Sequence, residues 1–221
     1  CFGDNDGEID ISGIDGGVKR DDGTYNYTWS VISGSGVGLV TNDDTIFKQT
    51  GLAAGVYKVV VTDKSSGDCK IERTWTLNQP AAVLDINATI SGDLNFQISC
   101  NDKTDGRILL DLSGGTKFSE EGIKKDSYEI TWTAGANADG DVGVIPVGKT
   151  NATLLENLPA GKYSVVVKDA NGCTATKEYT LKRPPELSQT NTVSVKDGGF
   201  NITCSGGNDG SITVVPTGGY S

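Results

Sequence analysis

The sequence predicts an all-β chain made of antiparallel sandwiches, and three observations support this prediction. Two stretches, 52–63 and 158–169, carry tyrosine, valine and valine at alternate positions, with polar or further β-branched residues between them, which is typical of a half-buried strand. The chain holds 30 glycines but only 7% aromatic residues, a composition that suits many short strands joined by turns. A motif that begins with cysteine also recurs at intervals of about a hundred residues, which is the size of one domain in an array.

The tyrosine that opens each of the two alternating strands indicates the type of sandwich. Tyr57 and Tyr163 both follow a Leu-x-x-Gly sequence, which is the spacing of a tyrosine corner, where the phenol hydroxyl bonds to backbone just upstream. Asn171-Gly172 then favours a tight hairpin turn. We therefore predict tandem immunoglobulin-like antiparallel β-sandwich repeats with Tyr57 and Tyr163 in their cores.

A tryptophan strand precedes each tyrosine strand. Trp29 and Trp132 alternate in phase with the aromatic or aliphatic residues before them, so we interpret both as core residues of the sandwich. The alternative is a platform on which sugar rings stack. Trp75 and Tyr179 take matching places in the last strand of their repeats, and we interpret them as structural too. A last strand at a sheet edge can expose its side chains, so Trp75 is the first candidate if any aromatic residue binds carbohydrate.

The recurring motif is Cys-x4-Asp-Gly-x-Ile, and it begins at Cys1, Cys100 and Cys204. We call the residues from this cysteine to the motif glycine the opening loops (1–7, 100–106 and 204–210). Each is followed by a Gly-Gly pair, and prolines at 80 and 184 mark the joints between repeats. The predicted organisation is repeat 1 over 1–79, lacking its leading hairpin, a complete repeat 2 over 80–183, and the start of repeat 3 over 184–221.

Five motifs in this order resemble the SprB-type repeat of the large cell-surface adhesins that gliding bacteroidete bacteria move along their cells. They are the opening loop, the Gly-Gly pair, a Tyr-x-x-x-Trp strand, Leu-x-Ala-Gly-x-Tyr, and a turn that ends in cysteine. We call these last segments the closing turns (63–69 and 169–173). The first closing turn is two residues longer than the second, so the two final hairpins need not match in detail.

The resemblance implies an exported protein displayed on the cell surface and secreted by the type IX route. Its implied partners are extracellular surfaces or polysaccharide, together with the gliding and secretion machinery of the cell envelope. It also implies attachment to the outer membrane through other parts of the polypeptide.

Composition excludes several classes of function. A net charge of −10 opposes binding to nucleic acid and to anionic membrane surfaces. The sequence has no apolar run of the roughly 20 residues that a membrane-spanning helix needs, so we expect no membrane insertion of this segment. The absence of histidine removes Ser-His-Asp and Cys-His catalysis and most zinc sites. The absence of methionine indicates a piece of a longer protein.

Three functions remain to be weighed. The first is a repeat segment of a surface adhesin, which acts as a rigid stalk and as a candidate adhesive surface in gliding. The alternative is a carbohydrate-binding module of a secreted multidomain protein. The third is an enzyme such as a glycosidase with paired carboxylates, but the acidic residues lie in turns of a repeat and not in a cleft. We therefore predict no enzyme, no catalytic residues and no obligatory cofactor.

The five cysteines fall one in each opening loop and one in each closing turn. This periodicity predicts the disulfides Cys1–Cys69 and Cys100–Cys173, with Cys204 unpaired in this segment. Four cysteines allow three pairings, so other connectivities stay open. An acylated Cys1 of a lipoprotein and reduced, buried thiols are further alternatives. No Cys-x-x-Cys occurs, which leaves redox and zinc chemistry little support.

Acidic residues recur in the same loops and turns. Asp6 and Asp105 lie in opening loops, and Asp63 and Asp169 lie at closing turns; oxygen ligands on adjacent loops are what calcium prefers. The alternative is that these residues form turns by bonding their own backbone. Asp44-Thr45-Ile46 also resembles the short Asp-Thr-aliphatic acceptor that related bacteria use for protein O-glycosylation, which makes Thr45 a candidate for modification.

Overall fold

The computed structural model describes residues 1–41, 43–65, 69–119 and 127–220. Three residues of the first closing turn, 66–68, lie outside the described residues. Regular structure in the described part consists of β-strands and one three-residue 3-10 turn, Asp197–Gly199. The strands are β1 Gly7–Asp10, β2 Asn26–Gly34, β3 Lys48–Leu52, β4 Gly55–Thr62, β5 Lys70–Leu77, β6 Asp85–Ile90, β7 Gly106–Ser113, β8 Glu129–Gly135, β9 Leu154–Leu158, β10 Gly161–Lys168, β11 Thr174–Leu181, β12 Ser188–Val193 and β13 Ile212–Thr217.

The chain forms two compact units. The first consists of Cys1–Asp85, Ser113–Lys117 and Ala170–Cys173, and the second holds Ile86–Leu112, Phe118–Asp169 and Thr174–Ser221. The joints that we predicted at prolines 80 and 184 lie outside the strands, between β5 and β6 and between β11 and β12. The repeat boundaries themselves stay a prediction.

The first unit contains two antiparallel sheets, β1-β3 and β2-β4-β5. Strand β4 is central because it pairs with both β2 and β5. Tyr57, Val59 and Val61 alternate on its buried face, while the residues between them are only half-buried. Trp29 of β2 and Ile9 of β1 belong to the same core. The alternation in the sequence thus becomes a sheet with one face against the core.

The second unit has a three-stranded sheet β6-β7-β9, a three-stranded sheet β8-β10-β11 and the hairpin β12-β13. The two three-stranded sheets have the strand order A-B-E and C-F-G of an immunoglobulin-like sandwich. Strands β1 to β5 of the first unit pair in the same order as β7 to β11, and the described residues provide no counterpart of β6 there. The predicted fold class, all-β and immunoglobulin-like, is confirmed.

Both tyrosine corners are present. The Tyr57 hydroxyl donates to the Ala53 carbonyl oxygen at 2.7 Å, and the Tyr163 hydroxyl donates to the Pro159 carbonyl oxygen at 2.8 Å. Neither side chain is exposed to solvent, and burial raises the pKa of both phenols. Each corner fixes the entry of the chain into a central strand, as the sequence predicted.

The two tryptophans of the central sheets are in the core, each only 3% exposed. The indole nitrogen of Trp29 donates to the Ile46 carbonyl oxygen, and that of Trp132 donates to the Ala152 carbonyl oxygen, both at 2.8 Å. Because a buried N–H without a partner is costly, these bonds are part of what positions the indoles.

The hairpin β12-β13 leaves its apolar side chains exposed. Ile212 of β13 is 71% exposed, whereas Ile108, which takes the same place in the opening motif of repeat 2, is fully buried. Among the described residues, β12 and β13 form a separate two-stranded sheet, whereas β7 is the central strand of the sheet β6-β7-β9.

Candidate functional site

The three opening loops have the same backbone turn. The N–H three residues after each cysteine donates to the cysteine carbonyl oxygen, at 3.2 Å from Asp4 to Cys1 and at 3.1 Å from Lys103 to Cys100. In the third loop the corresponding distance, to Cys204, is 2.9 Å. The cysteine of the motif is therefore presented in the same local conformation each time.

The aspartate of the motif ties the loop to the residue before the cysteine. The Asp105 carboxylate accepts a bond from the Ser99 N–H at 3.1 Å and another from the Ser99 hydroxyl. Asp209 accepts the same two bonds from Thr203. These bonds hold the pKa of both carboxyls below the usual range. The serine or threonine before the cysteine is the feature of the sequence that indicates this hydrogen bond to the aspartate. The prediction of calcium ligands did not take that residue into account.

Replacing Asp105 by alanine will make the loop less stable by about 1 kcal/mol at pH 7, the usual worth of a protein hydrogen bond. Because folding lowers this pKa, the stabilisation is present above the unfolded value of 3.8 and disappears as pH falls through the lower folded value. The melting temperatures of wild type and variant, measured from pH 7 to pH 2, should therefore converge at the acid end. Asp102→Ala is the control, and a difference that persists undiminished at pH 2 would contradict this role.

The other three aspartates predicted to bind calcium, Asp6, Asp63 and Asp169, lie in three different environments. Asp63 accepts bonds from the Val18 N–H at 3.1 Å and the Ser65 N–H at 3.0 Å. Asp169 is completely buried, whereas Asp6 lies on the surface, 4.0 Å from the terminal amine of Cys1. The described residues contain no group of three or more acidic or thiol side chains placed to hold a metal. Calcium binding therefore stays a prediction.

The predicted modification site lies on the surface. Thr45 is exposed, and its hydroxyl donates to the Asp43 carboxylate at 2.6 Å. The same carboxylate accepts the Thr45 N–H at 2.9 Å, which makes this a compact aspartate turn. O-glycosylation of Thr45 stays a prediction.

The disulfide differs from both predicted pairs. Cys1 is bonded to Cys173, with the two Cα atoms 5.6 Å apart. Cys69, Cys100 and Cys204 are free and exposed. The bond lies within the first unit, which includes Ala170–Cys173, and it connects the opening loop of repeat 1 to the closing turn of repeat 2. The predicted pairs Cys1–Cys69 and Cys100–Cys173 do not form.

The reason is that an opening loop and its own closing turn lie at opposite ends of a sandwich. The first opening loop leads into Gly7, which pairs with Leu52 beside the start of β4. The closing turn follows Thr62 at the other end of β4. Eight residues of strand span about 25 Å, whereas the Cα atoms of a disulfide lie within about 7 Å. Strand β10 leads away from the pair of Gly106 and Leu158, where the second opening loop ends, in the same way.

A small cleft of 130 Å³ lies beside this disulfide. Its walls include Cys1, Leu77, Pro80 and Asn171, and Gln79 closes one side by accepting the Gly3 N–H at 2.8 Å. The cleft is smaller than the roughly 300 Å³ at which ligand pockets begin. The arrangement is therefore suited to joining segments of chain and not to holding a small molecule.

A comparison with protein-family models identifies the family that the opening-loop motif resembles. The SprB repeat model matches residues 1–34 and 201–220. These two segments are similar to the SprB repeat. The first SprB match spans the opening loop of repeat 1 through the Trp29 strand, and the second spans the opening loop that contains Cys204. The resemblance proposed from the sequence is confirmed for these two segments.

Other comparisons add little to the SprB match. The solved structure of an amphioxus IgVJ-C2 molecule aligns with 80% of this chain and 96% of that chain, at 14% identity and a TM-score of 0.31. The fold assignment rests on the strand order and not on this alignment. No curated protein sequence matches the chain. Within the described residues, no helix has the length and apolar character needed to cross a membrane.

Proposed function

We propose that this chain is a repeat segment of an exported cell-surface adhesin and acts as a rigid, non-catalytic stalk in gliding motility. The observation that carries the proposal is the SprB repeat match at residues 1–34 and 201–220. The proposal includes secretion by the type IX route, attachment to the outer membrane through other parts of the protein, and traction by the gliding machinery. The wider protein contacts external surfaces or polysaccharide.

Two features of the chain support a structural role outside the cell. The Cys1–Cys173 disulfide suits an oxidising compartment, since cytosolic proteins keep their thiols reduced. The net charge of −10 favours a soluble surface that repels other copies and anionic envelopes.

The carbohydrate-binding alternative is less favoured because the tryptophans that were its candidate platform are buried or half-buried. Trp29 and Trp132 are buried and hydrogen-bonded. Trp75 is half-buried, and its ring centroid lies 6.3 Å from that of Trp29. Tyr179 occupies the equivalent place against Trp132, at 6.2 Å. One half-covered ring in each final strand gives a sugar little surface on which to stack.

The test is retention of the fluorescently labelled chain on glass and on a panel of immobilised polysaccharides, with calcium and with a chelator. A stalk segment should wash off every surface with and without calcium. Retention on any polysaccharide that Trp75→Ala abolishes and Tyr179→Ala preserves would replace the stalk by the carbohydrate-binding alternative. Retention that the chelator abolishes would instead place an adhesive calcium site in these repeats.

A further inference from the structure

We propose that the cysteine of each opening loop bonds to the closing-turn cysteine of the repeat that follows it. Under this rule, Cys100 is the docking site for the closing turn of a following repeat, and Cys69 is the partner of an opening-loop cysteine of a preceding repeat. Each partner is another SprB-type repeat of the same polypeptide. This linkage of the array is independent of any adhesive role.

The bond that is present sets the pairing rule. Cys1 belongs to the opening loop of repeat 1, and Cys173 belongs to the closing turn of repeat 2. Bonding within a repeat is excluded because the central strand, β4 or β10, keeps the two cysteines of one repeat at opposite ends of the sandwich. A cysteine of an opening loop therefore needs a partner from another repeat.

Cys100 has the local structure of Cys1. Both loops make the same turn, closed by the N–H three residues later, and both lead into a strand whose first residue pairs with a leucine, Leu52 in one case and Leu158 in the other. Cys100 is free and exposed, whereas Cys1 is bonded. The same loop structure thus presents a bonded cysteine at Cys1 and a free cysteine at Cys100.

The surroundings of the two loops differ at the place of the closing turn. In the first unit Asn171, from the closing turn, lines the 130 Å³ cleft together with Ala54 and Pro80. In the second unit Ala160 takes the place of Ala54 and lines an open cleft of 250 Å³. Pro184 takes the place of Pro80 and lines an open cleft of 520 Å³. The larger clefts leave room for an Asn-Gly-Cys turn, the occupant that the first unit already holds.

Polar groups border these clefts. Arg183 forms an ion pair with Asp141 at 2.7 Å and donates to the Asn101 carbonyl oxygen at 3.0 Å. The Asn101 side chain donates to the Pro184 carbonyl oxygen at 3.1 Å. These bonds tie the opening loop to the joint after β11, so Cys100 is held on a fixed base before a partner arrives. Such preorganisation lowers the cost of docking.

The first experiment counts thiols in the oxidised, full-length chain. The chain is unfolded without reductant, alkylated with iodoacetamide and weighed by mass spectrometry, and linked peptides are then mapped. The proposal expects three alkylated cysteines, Cys69, Cys100 and Cys204, and one linked pair, Cys1 with Cys173. Bonding within repeats would leave one alkylated cysteine, Cys204. That count, or any linkage other than Cys1–Cys173, would overturn the proposal.

The second experiment provides Cys100 with its partner. A copy of residues 118–183 is appended after Ser221, which completes repeat 3 in register with repeat 2. The proposal expects a new bond between Cys100 and the appended closing-turn cysteine, leaving two free thiols, Cys69 and Cys204. Bonding within repeats would leave none. Persistence of Cys100 as a free thiol would overturn the rule.

Cysteine variants of the extended chain test which cysteine bonds to the appended closing-turn cysteine. Cys100→Ser should release the appended cysteine as a free thiol and leave the Cys1–Cys173 bond intact. Cys69→Ser should remove one free thiol and change neither bond. If Cys100→Ser leaves the appended cysteine bonded, another cysteine is its partner and the proposal fails.

Discussion

Replacing Trp132 by alanine will lower the free energy of unfolding by about 3–5 kcal/mol, the usual cost of truncating a buried large aromatic residue. The side chain is 3% exposed and packs against Tyr179, so its removal leaves a cavity. It also leaves the Ala152 carbonyl oxygen without the indole donor, which adds a desolvation cost. Urea unfolding followed by far-UV circular dichroism measures the change.

Two further variants show that the effect belongs to the core position. Trp29→Ala should cost a similar amount in the first unit, because Trp29 is equally buried and donates to the Ile46 carbonyl oxygen in the same way. Leu94→Ala should be nearly neutral, since Leu94 is fully exposed and such surface changes fall within about 0.5 kcal/mol. A loss below about 1 kcal/mol for Trp132→Ala would contradict the core role of the indole.

Replacing Gly114 by alanine will cost about 3 kcal/mol, for two reasons. Its φ of +71° is in the left-handed region, where an L side chain costs about 1–2 kcal/mol. A Cβ at this position would also overlap the Val83 carbonyl oxygen, so the backbone of the leading segment must move. Thermal unfolding of the variant measures the combined loss.

Gly16 is the natural control for Gly114, because it holds the same place in the Gly-Gly pair of repeat 1. Its φ is +89°, but no atom lies within 4 Å of the place that a Cβ would take. Gly16→Ala should therefore carry only the conformational cost of about 1–2 kcal/mol. In the third repeat a Cβ on Gly218 would again overlap a carbonyl oxygen, that of Glu186. If Gly16→Ala and Gly114→Ala cost the same free energy of unfolding, the close approach of the Val83 carbonyl oxygen is not the reason that position 114 needs glycine.

The parts of the fold that could be predicted are those with a local cause. The alternation of Tyr163, Val165 and Val167 predicts a strand with one buried face, because successive side chains point to opposite sides. The Leu-x-x-Gly-x-Tyr spacing predicts the corner bond, because the hydroxyl returns to a carbonyl only four residues upstream. The phase of Trp132 likewise predicts its burial. Each of these inferences needs only a few neighbouring residues.

The disulfide could not be predicted in this way, because its two cysteines are 172 residues apart in the sequence. Periodicity favoured a pairing within each repeat, but it says nothing about which end of a sandwich a loop occupies. The strand itself contained the missing information: Gly161–Lys168 leads away from the end at which Gly106 pairs with Leu158. The eight residues of this strand carry the chain away from the opening loop before the closing turn begins. The acidic motif residues were likewise assigned from type alone, while the contacts of Asp105 are set by Ser99.

The bond between Cys1 and Cys173 also determines how the chain responds to mechanical force. It joins positions 172 residues apart, a contour length of about 600 Å when fully stretched. Tension applied across these two positions passes through one covalent linkage, so the intervening strands carry none of the load. They lengthen only after the linkage is reduced. The extensibility of residues 1–173 under load is therefore controlled by the oxidation state of their surroundings, and with the bond oxidised they transmit a pull with almost no elongation.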